Sequence, residues 1–262
     1  MHVHLIGVAG TGMSALGALL AEAGHRVSGS DTAFDPPVGP YLRELGIECL
    51  EGWNPGNLDA GPDLVVVGNV CRRDNEEAQE AMKRGLTLAS MPGSLGEHVL
   101  DARRPFVVAG THGKTTTTTL TAYLLRAVGI DAGFFIGGIP LNFERSSGLG
   151  GEGAPFVIEG DEYDSAFFEK TPKFWHYRPA SAILTSIEYD HVDIYPNEDA
   201  YLDAFREFVR RIPREGWLFA WAGDPLVREV VESAECRVRF YALDGDDCGD
   251  VQPMWLGMPA PG

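Results

Sequence analysis

The most constraining feature of this chain is that it begins the same way twice. Val3 to Gly7 (VHLIG) is a short apolar run; a glycine-rich loop follows, then an apolar helical pattern, MSALGALLAEAG, that closes at Gly24. Phe106 to Ala109 (FVVA) leads into a second glycine-rich loop and a second helical pattern that closes at Gly129. Strand, glycine loop, helix is the opening of a parallel α/β unit, because a helix must carry the chain back before the next parallel strand can form. The first turn of such a helix has N–H groups without helical partners, and glycines let an anion approach them closely. Two such openings in 262 residues predict two α/β domains, each with a phosphate-binding turn.

The remaining pattern fits this plan. RVSGSD, IECL, DLVVVG and LTLAS read as strands in the first half, with helices over VGPYLRELG and EEAQEAMKRG between them. That alternation predicts a doubly wound sheet. Arg103-Arg104-Pro105 marks the seam, giving domains 1–103 and 104–262. DAGFFIGG, APFVIEGDE, ASAILTSIE, WLFAWAG and RVRFYAL are the later strand candidates, and Asp199 to Arg211 and Leu226 to Ala234 the helices. Asn142 to Gly153 reads as a loop, and Asp244 to Gly262 as a polar, irregular end.

Composition narrows the partners. A net charge of −17 argues against nucleic acid or an anionic membrane as the main partner. A small anionic ligand needs local positive features: helix N-termini, a lysine, a metal ion. The four cysteines form no C-x-x-C pair and read as small hydrophobic residues. MHVHLIGVAG has no charged segment ahead of a long apolar run, and no apolar stretch is long enough to span a bilayer. The expected compartment is the cytoplasm.

The second loop reads Gly110-Thr111-His112-Gly113-Lys114-Thr115-Thr116. In a phosphate loop the glycines wrap the anion, the lysine reaches the β- and γ-phosphates, and the next hydroxyl meets Mg²⁺. The G-K-T core is present, but Val108 stands where the standard spacing has its first glycine. Threonine is a poor helix former, so the run Thr115 to Thr119 needs a reason. Thr115 and Thr116 are assigned to ligand. Thr117 to Thr119 are expected to pack their methyls and return their hydroxyls to backbone carbonyls.

A triphosphate site needs a further metal ligand. The strand PFVI ends in Glu159-Gly160-Asp161-Glu162-Tyr163-Asp164, at the sheet edge where α/β folds bind ligands. Glu159 is the candidate Mg²⁺ ligand, and Asp164 is read as solvated. ASAILTSIE runs into Tyr189-Asp190-His191, which makes His191 a candidate metal ligand or phosphate contact. In the first loop, Gly7, Ala9, Gly10, Thr11, Gly12, Met13 and Ser14 suit a diphosphate. Asp31 ends the next strand, where a ribose-binding acid would sit, and Asn69 ends another. An NAD reading is available, but the glycines are displaced from G-x-G-x-x-G.

Together these stretches resemble the Mur ligase family, the ATP-dependent amide-bond-forming enzymes of peptidoglycan synthesis. GVAGTGMSALG resembles its UDP-binding loop, and GTHGKTTT its ATP loop, whose short form lacks the leading glycine. EGDEYD and IEYDHVD resemble its Mg²⁺ carboxylate and histidine segments. The resemblance implies an α/β chain with an N-terminal Rossmann-like UDP-binding domain and a central P-loop ATPase-type domain. It implies ATP and Mg²⁺ as cofactors, and UDP-N-acetylmuramate and an amino acid or peptide amine as substrates. Lys114, Glu159 and His191 would be catalytic, with Thr115, Glu159 and His191 holding metal. VVGNVCRRDN, GGIPLNFERSSGLG and GDEYDSAFFEKTPKFWHYRP look more like the branch whose amine is a peptide than the branch whose amine is L-alanine. The family pattern continues past residue 262, so a third Rossmann-like domain and the end of the central one are expected outside this chain. The alternative of another class is a non-catalytic nucleotide- or UDP-sugar-binding module. An NAD-dependent oxidoreductase leaves GTHGKT unexplained.

Overall fold

The computed structural model describes residues 1–190 and 194–256. The first half alternates β1 (His2–Ile6), α1 (Thr11–Glu22), β2 (Arg26–Asp31), α2 (Val38–Glu44), β3 (Glu48–Glu51), β4 (Leu64–Val67), α3 (Glu76–Lys83) and β5 (Leu88–Ser90). A helical segment follows, α4 (Met91–Leu95), continued by a wider turn over Gly96–Leu100. The second half contains β6 (Arg104–Ala109), α5 (Lys114–Ala127), β7 (Gly133–Phe135), β8 (Ser147–Gly148) and β9 (Pro155–Glu159). Then come β10 (Asp164–Ala166), β11 (Glu169–Pro172), a 3₁₀ turn (Lys173–Tyr177), β12 (Ser181–Leu184), α6 (Glu198–Arg210), β13 (Trp217–Trp221), α7 (Pro225–Val231), β14 (Arg237–Leu243) and β15 (Met254–Leu256).

The first sheet is wholly parallel, in the order β3-β2-β1-β4-β5. β1 and β4 are buried along their whole length, as strands covered on both faces must be; β4 is accordingly an unbroken apolar run, and β1 buries His2 and His4 against Ser28. The second sheet runs β15-β14-β13-β12-β6-β9-β7-β8, parallel except for the β7–β8 pair. Each glycine loop therefore follows a central strand whose neighbours diverge in chain order: β1 between β2 and β4, β6 between β12 and β9. Such a switch point opens a crevice at the carboxyl ends of the strands. The loops after β6, β9 and β12 all open at one of these crevices.

The sheets separate at the predicted seam, but the core does not. One cluster of buried residues runs from Leu5, Leu16 and Leu19 through Phe135 and Phe156 to Phe205, Phe208 and Leu218. Polar ties reinforce it: Glu22, at the end of α1, pairs with Arg145 at 2.6 Å and accepts the Leu149 N–H at 2.9 Å. The Ser147 hydroxyl donates to the Ala15 carbonyl at 3.2 Å.

Four segments add to or depart from the sequence expectation. The loop around residue 147 contributes β8, and the polar end contributes β15, the edge strand beside β14. MPGSLGEHVL is helical despite its proline, which stands in the first turn where no N–H is needed, after a Ser90 cap. β10 and β11 form an antiparallel hairpin, with Asp164, expected to be solvated, paired to Lys170 across it at 2.7 Å.

Candidate functional site

At the second loop, Gly110 has φ +132°, and a Cβ there would come within 2.2 Å of Thr185 Oγ1. Only glycine fits. Thr111 pins the loop to the end of β12: its N–H donates to the Ser186 carbonyl at 2.6 Å, and its hydroxyl donates to the Glu188 carbonyl at 3.1 Å. That hydroxyl also accepts the Glu188 N–H at 2.9 Å and lies 2.9 Å from the Tyr201 hydroxyl. The Thr111 side chain thus serves the loop itself. His112 is exposed and meets Glu188 at 2.8 Å. Gly113 turns into α5 with φ +77° and no side-chain cap, and the first intrahelical bond is from Thr117 N–H to the Gly113 carbonyl. The N–H groups of Lys114, Thr115 and Thr116 are left as the orphan donors of the first turn.

Thr115 and Thr116 are exposed on that turn. The Thr118 and Thr119 hydroxyls donate back to the Lys114 and Thr115 carbonyls, each at 2.8 Å. Of the expected back-bonds, those of Thr118 and Thr119 form, while Thr117 contributes its carbonyl, which accepts the Thr121 hydroxyl at 2.8 Å.

Lys114 folds over its own loop. Its ammonium donates to the Gly110 carbonyl at 2.7 Å and the Thr111 carbonyl at 3.2 Å, and pairs with Glu162 at 3.1 Å. The Glu162 side chain is wholly buried. The Tyr195 hydroxyl donates to the Glu162 backbone carbonyl at 2.7 Å. Burial, with the Glu162 charge adding to it, pushes the Tyr195 and Tyr201 hydroxyls far above the ordinary tyrosine range, so both stay protonated. Glu162 does not stand out in the sequence, because a run of acids does not show which carboxylate turns inward.

Glu159 lies beside the loop. Thr115 donates to its Oε1 at 2.8 Å, and the Gly137 N–H donates to its Oε2 at 2.9 Å. A hydroxyl and a carboxylate converging there are hard oxygen ligands, which suits Mg²⁺. Among the described residues no group of three or more His, Cys, Asp or Glu is placed to hold a metal. Two protein ligands fit Mg²⁺ all the same, because it keeps several waters and takes phosphate oxygens. His191 lies outside the described residues.

The first loop is held differently. Asp31 accepts the Ala9 N–H at 2.9 Å and the Thr32 N–H at 2.7 Å, so this acid shapes the loop. α1 starts at Gly10 with no side-chain cap and no acid in its first turn, and its first internal bond is from Ser14 N–H. The N–H groups of Thr11, Gly12 and Met13 are orphan donors. Gly7, Gly10 and Met13 border a cavity of about 150 Å³ with Asn69. A second cavity, of about 190 Å³, reaches Glu159 and Asp161. Thr11, Gly12, Met91 and Lys173 border both, so the first loop and the Glu159 carboxylate face one cleft. Ser14 borders a third cavity of about 470 Å³ beside α2. Lys173, another residue the sequence reading passed over, is carried in by the hairpin of β10 and β11.

One helix start with orphan N–H groups borders the cleft, and the other, with a lysine, reaches it through the Thr115–Glu159 bond; the arrangement is that of an α/β protein with two places suited to anionic groups. The chain belongs to the Mur ligase family: residues 2–103 match the Mur ligase family catalytic domain, and residues 108–252 the Mur ligase middle domain. It is 42% identical to the Escherichia coli K12 UDP-N-acetylmuramate–L-alanyl-γ-D-glutamyl-meso-2,6-diaminoheptandioate ligase, over 98% of this chain and 61% of that one. It is 35% identical to the UDP-N-acetylmuramate–L-alanine ligase of Syntrophomonas wolfei, over 92% of this chain and 50% of that one. The crystal structure of a murein peptide ligase from Psychrobacter arcticus superposes with a TM-score of 0.86 at 40% identity, covering 93% of this chain and 54% of that one. The chain thus spans between half and 61% of the length of these relatives. Among the described residues, no helix is long and apolar enough to cross a membrane.

Proposed function

We propose that this chain supplies the UDP-sugar-binding and ATP-binding parts, residues 1–103 and 104–262, of a cytoplasmic ATP-dependent ligase. The reaction joins L-alanyl-γ-D-glutamyl-meso-diaminopimelate to UDP-N-acetylmuramate. The observation that carries this reading is the single cleft bordered by both the first glycine loop and Glu159. A sugar nucleotide with its diphosphate on the N-terminus of α1, near Gly7, Gly10 to Ser14 and Asn69, would present its lactyl carboxylate toward Glu159. A nucleotide triphosphate on Gly110 to Thr116 would bring its γ-phosphate to the same place.

The γ-phosphoryl group then passes to a carboxylate oxygen, giving an acyl phosphate and ADP. The peptide amine attacks the carbonyl carbon, phosphate leaves with the bonding electrons, and the amine proton goes to solvent. The protein's part is positioning and charge neutralisation. Lys114 swings from its loop carbonyls to the β- and γ-phosphates. Thr115 and Glu159 would hold Mg²⁺, with His191 as a further ligand; bound there, the ion would neutralise charge on the transferred group. Curated ligases of the two kinds overlap in identity, 42% and 38% against 40% and 35%; what favours the peptide amine over L-alanine is structural likeness, a TM-score of 0.86 to the murein peptide ligase against 0.77, at 26% identity, to the Thermotoga maritima alanine ligase.

Calorimetric titration with UDP-N-acetylmuramate tests this. One saturable site is expected, and ligand at about a hundred times its dissociation constant should stabilise the chain by about 2.7 kcal/mol. A folded chain that takes up no UDP-N-acetylmuramate would refute the reading.

A further inference from the structure

Both cavities of the cleft are bordered by Lys173, the only cationic side chain among the described residues that line them. Its backbone is stapled to the segment after β9: Lys173 N–H donates to the Tyr163 carbonyl at 3.0 Å, and Phe174 N–H to the Asp161 carbonyl at 3.1 Å. Its ammonium is 2.6 Å from Asp161 Oδ2, with its side chain only 15% exposed, and stands 5.7 Å from the centre of the Tyr163 ring. An ammonium has three donors. Asp161 takes one, and the other two have no partner among the described residues.

The surroundings make this lysine hard to dispense with. Glu159 and Asp161 border the cavity of about 190 Å³. An anionic group entering beside two carboxylates is repelled unless a cation meets it. The diphosphate has the N-terminus of α1; at the Glu159 end of the cavity, the Gly137 N–H is already taken by Glu159.

We propose that Lys173 is a specificity-determining residue that receives the free carboxylate of the UDP-sugar. It sets the preference for an acid-bearing sugar over a neutral one, with Asp161 holding the ammonium in place. This rests on the ligase reading above and assigns one of its contacts.

The test compares UDP-N-acetylmuramate with UDP-N-acetylglucosamine, which lacks the lactyl acid, on the whole chain without ATP or added metal. A charge-assisted hydrogen bond predicts that the intact protein prefers the acid by roughly 10- to 100-fold. Lys173→Met should shrink that preference to within about threefold by weakening the acid alone, and Lys173→Arg should keep most of it. A Lys173→Met/Asp161→Asn chain, which leaves no unpaired carboxylate, should behave as Lys173→Met does. A preference that survives in both variants overturns the proposal. So does an equal loss for the two sugars, the mark of a purely structural role. If the unaltered chain binds neither sugar, the ligase reading fails, and the role of Lys173 falls with it.

Discussion

Lys114 and Glu162 meet where Glu162 has no contact with solvent, and that sets what substitutions there will do. Lys114→Ala should cost about 3–5 kcal/mol in chemical denaturation, because it removes the cation from a buried ion pair. Adding Glu162→Gln should recover a large part of that stability while ATP binding stays lost. A double variant as unstable as Lys114→Ala would show that the pair is not coupled. At Gly110 the constraint is steric: a Cβ would strike Thr185 and the Ser186 backbone. Gly110→Ala should cost about 2–4 kcal/mol in the same assay, and an unchanged midpoint would contradict the loop geometry. Cys71 offers a titration. Burial first, then the charges of Asp31 and Glu77, push its thiol up to about 11. Its raised folded value means that the native state keeps a proton the unfolded chain releases. Stability from this group is therefore full below about pH 9 and lost as pH rises to about 11, on the order of 2 kcal/mol. Cys71→Ala should flatten that part of the alkaline profile; an identical slope would assign the loss elsewhere. Glycine, lysine and threonine positions were legible because backbone conformation and phosphate chemistry admit few residue types. The inward turn of Glu162, the loop-holding role of Asp31 and the placement of Lys173 were not, because each depends on a partner distant in sequence.

At the scale of elements, the long apolar strands and the helices with clear ends were readable. β1, β4 and β9 are buried runs, and α3, α6 and α7 start on Asn75, Asn197 and Asp224 caps. β8, β11 and β15 span only two to four residues, with polar or mixed sequences such as SG and EKTP. Strands that short owe their existence to the neighbour they pair with, so no local pattern announces them. The tie between α1 and the loop ahead of β9 is equally non-local. Glu22→Gln weakens a carboxylate that serves both Arg145 and the Leu149 N–H. Hydrogen exchange at the Leu149 amide should quicken by about tenfold, the equivalent of about 1.4 kcal/mol. Unchanged protection would mean that packing alone holds the loop.

Across the whole molecule, the two sheets share one buried cluster. Heat should therefore unfold the chain in a single transition, with calorimetric and van't Hoff enthalpies in agreement. UDP-N-acetylmuramate should move that whole transition upward. Two resolved transitions, only one of them shifted by ligand, would show that the halves are thermodynamically separate. The parallel architecture and the two glycine loops at helix starts could be read from the chain because both are periodic or local. The cleft between the first loop and Glu159 could not, since it also needs Met91 of α4, Ser165 of β10 and Lys173 after β11.

That continuity has a consequence for how such chains can be recombined. The peptide seam near Arg104 invites a crossover, with residues 1–103 taken from one relative and the rest from another. The surfaces that must match are elsewhere: Glu22 and Ala15 on one parent, Arg145, Ser147 and Leu149 on the other, and Arg103, which donates to the Leu149 carbonyl at 2.9 Å. A hybrid joined at the seam would inherit mismatched halves of each contact. One that carries residues 142–153 along with the first sheet would keep them together, so the unit of exchange is discontinuous in sequence.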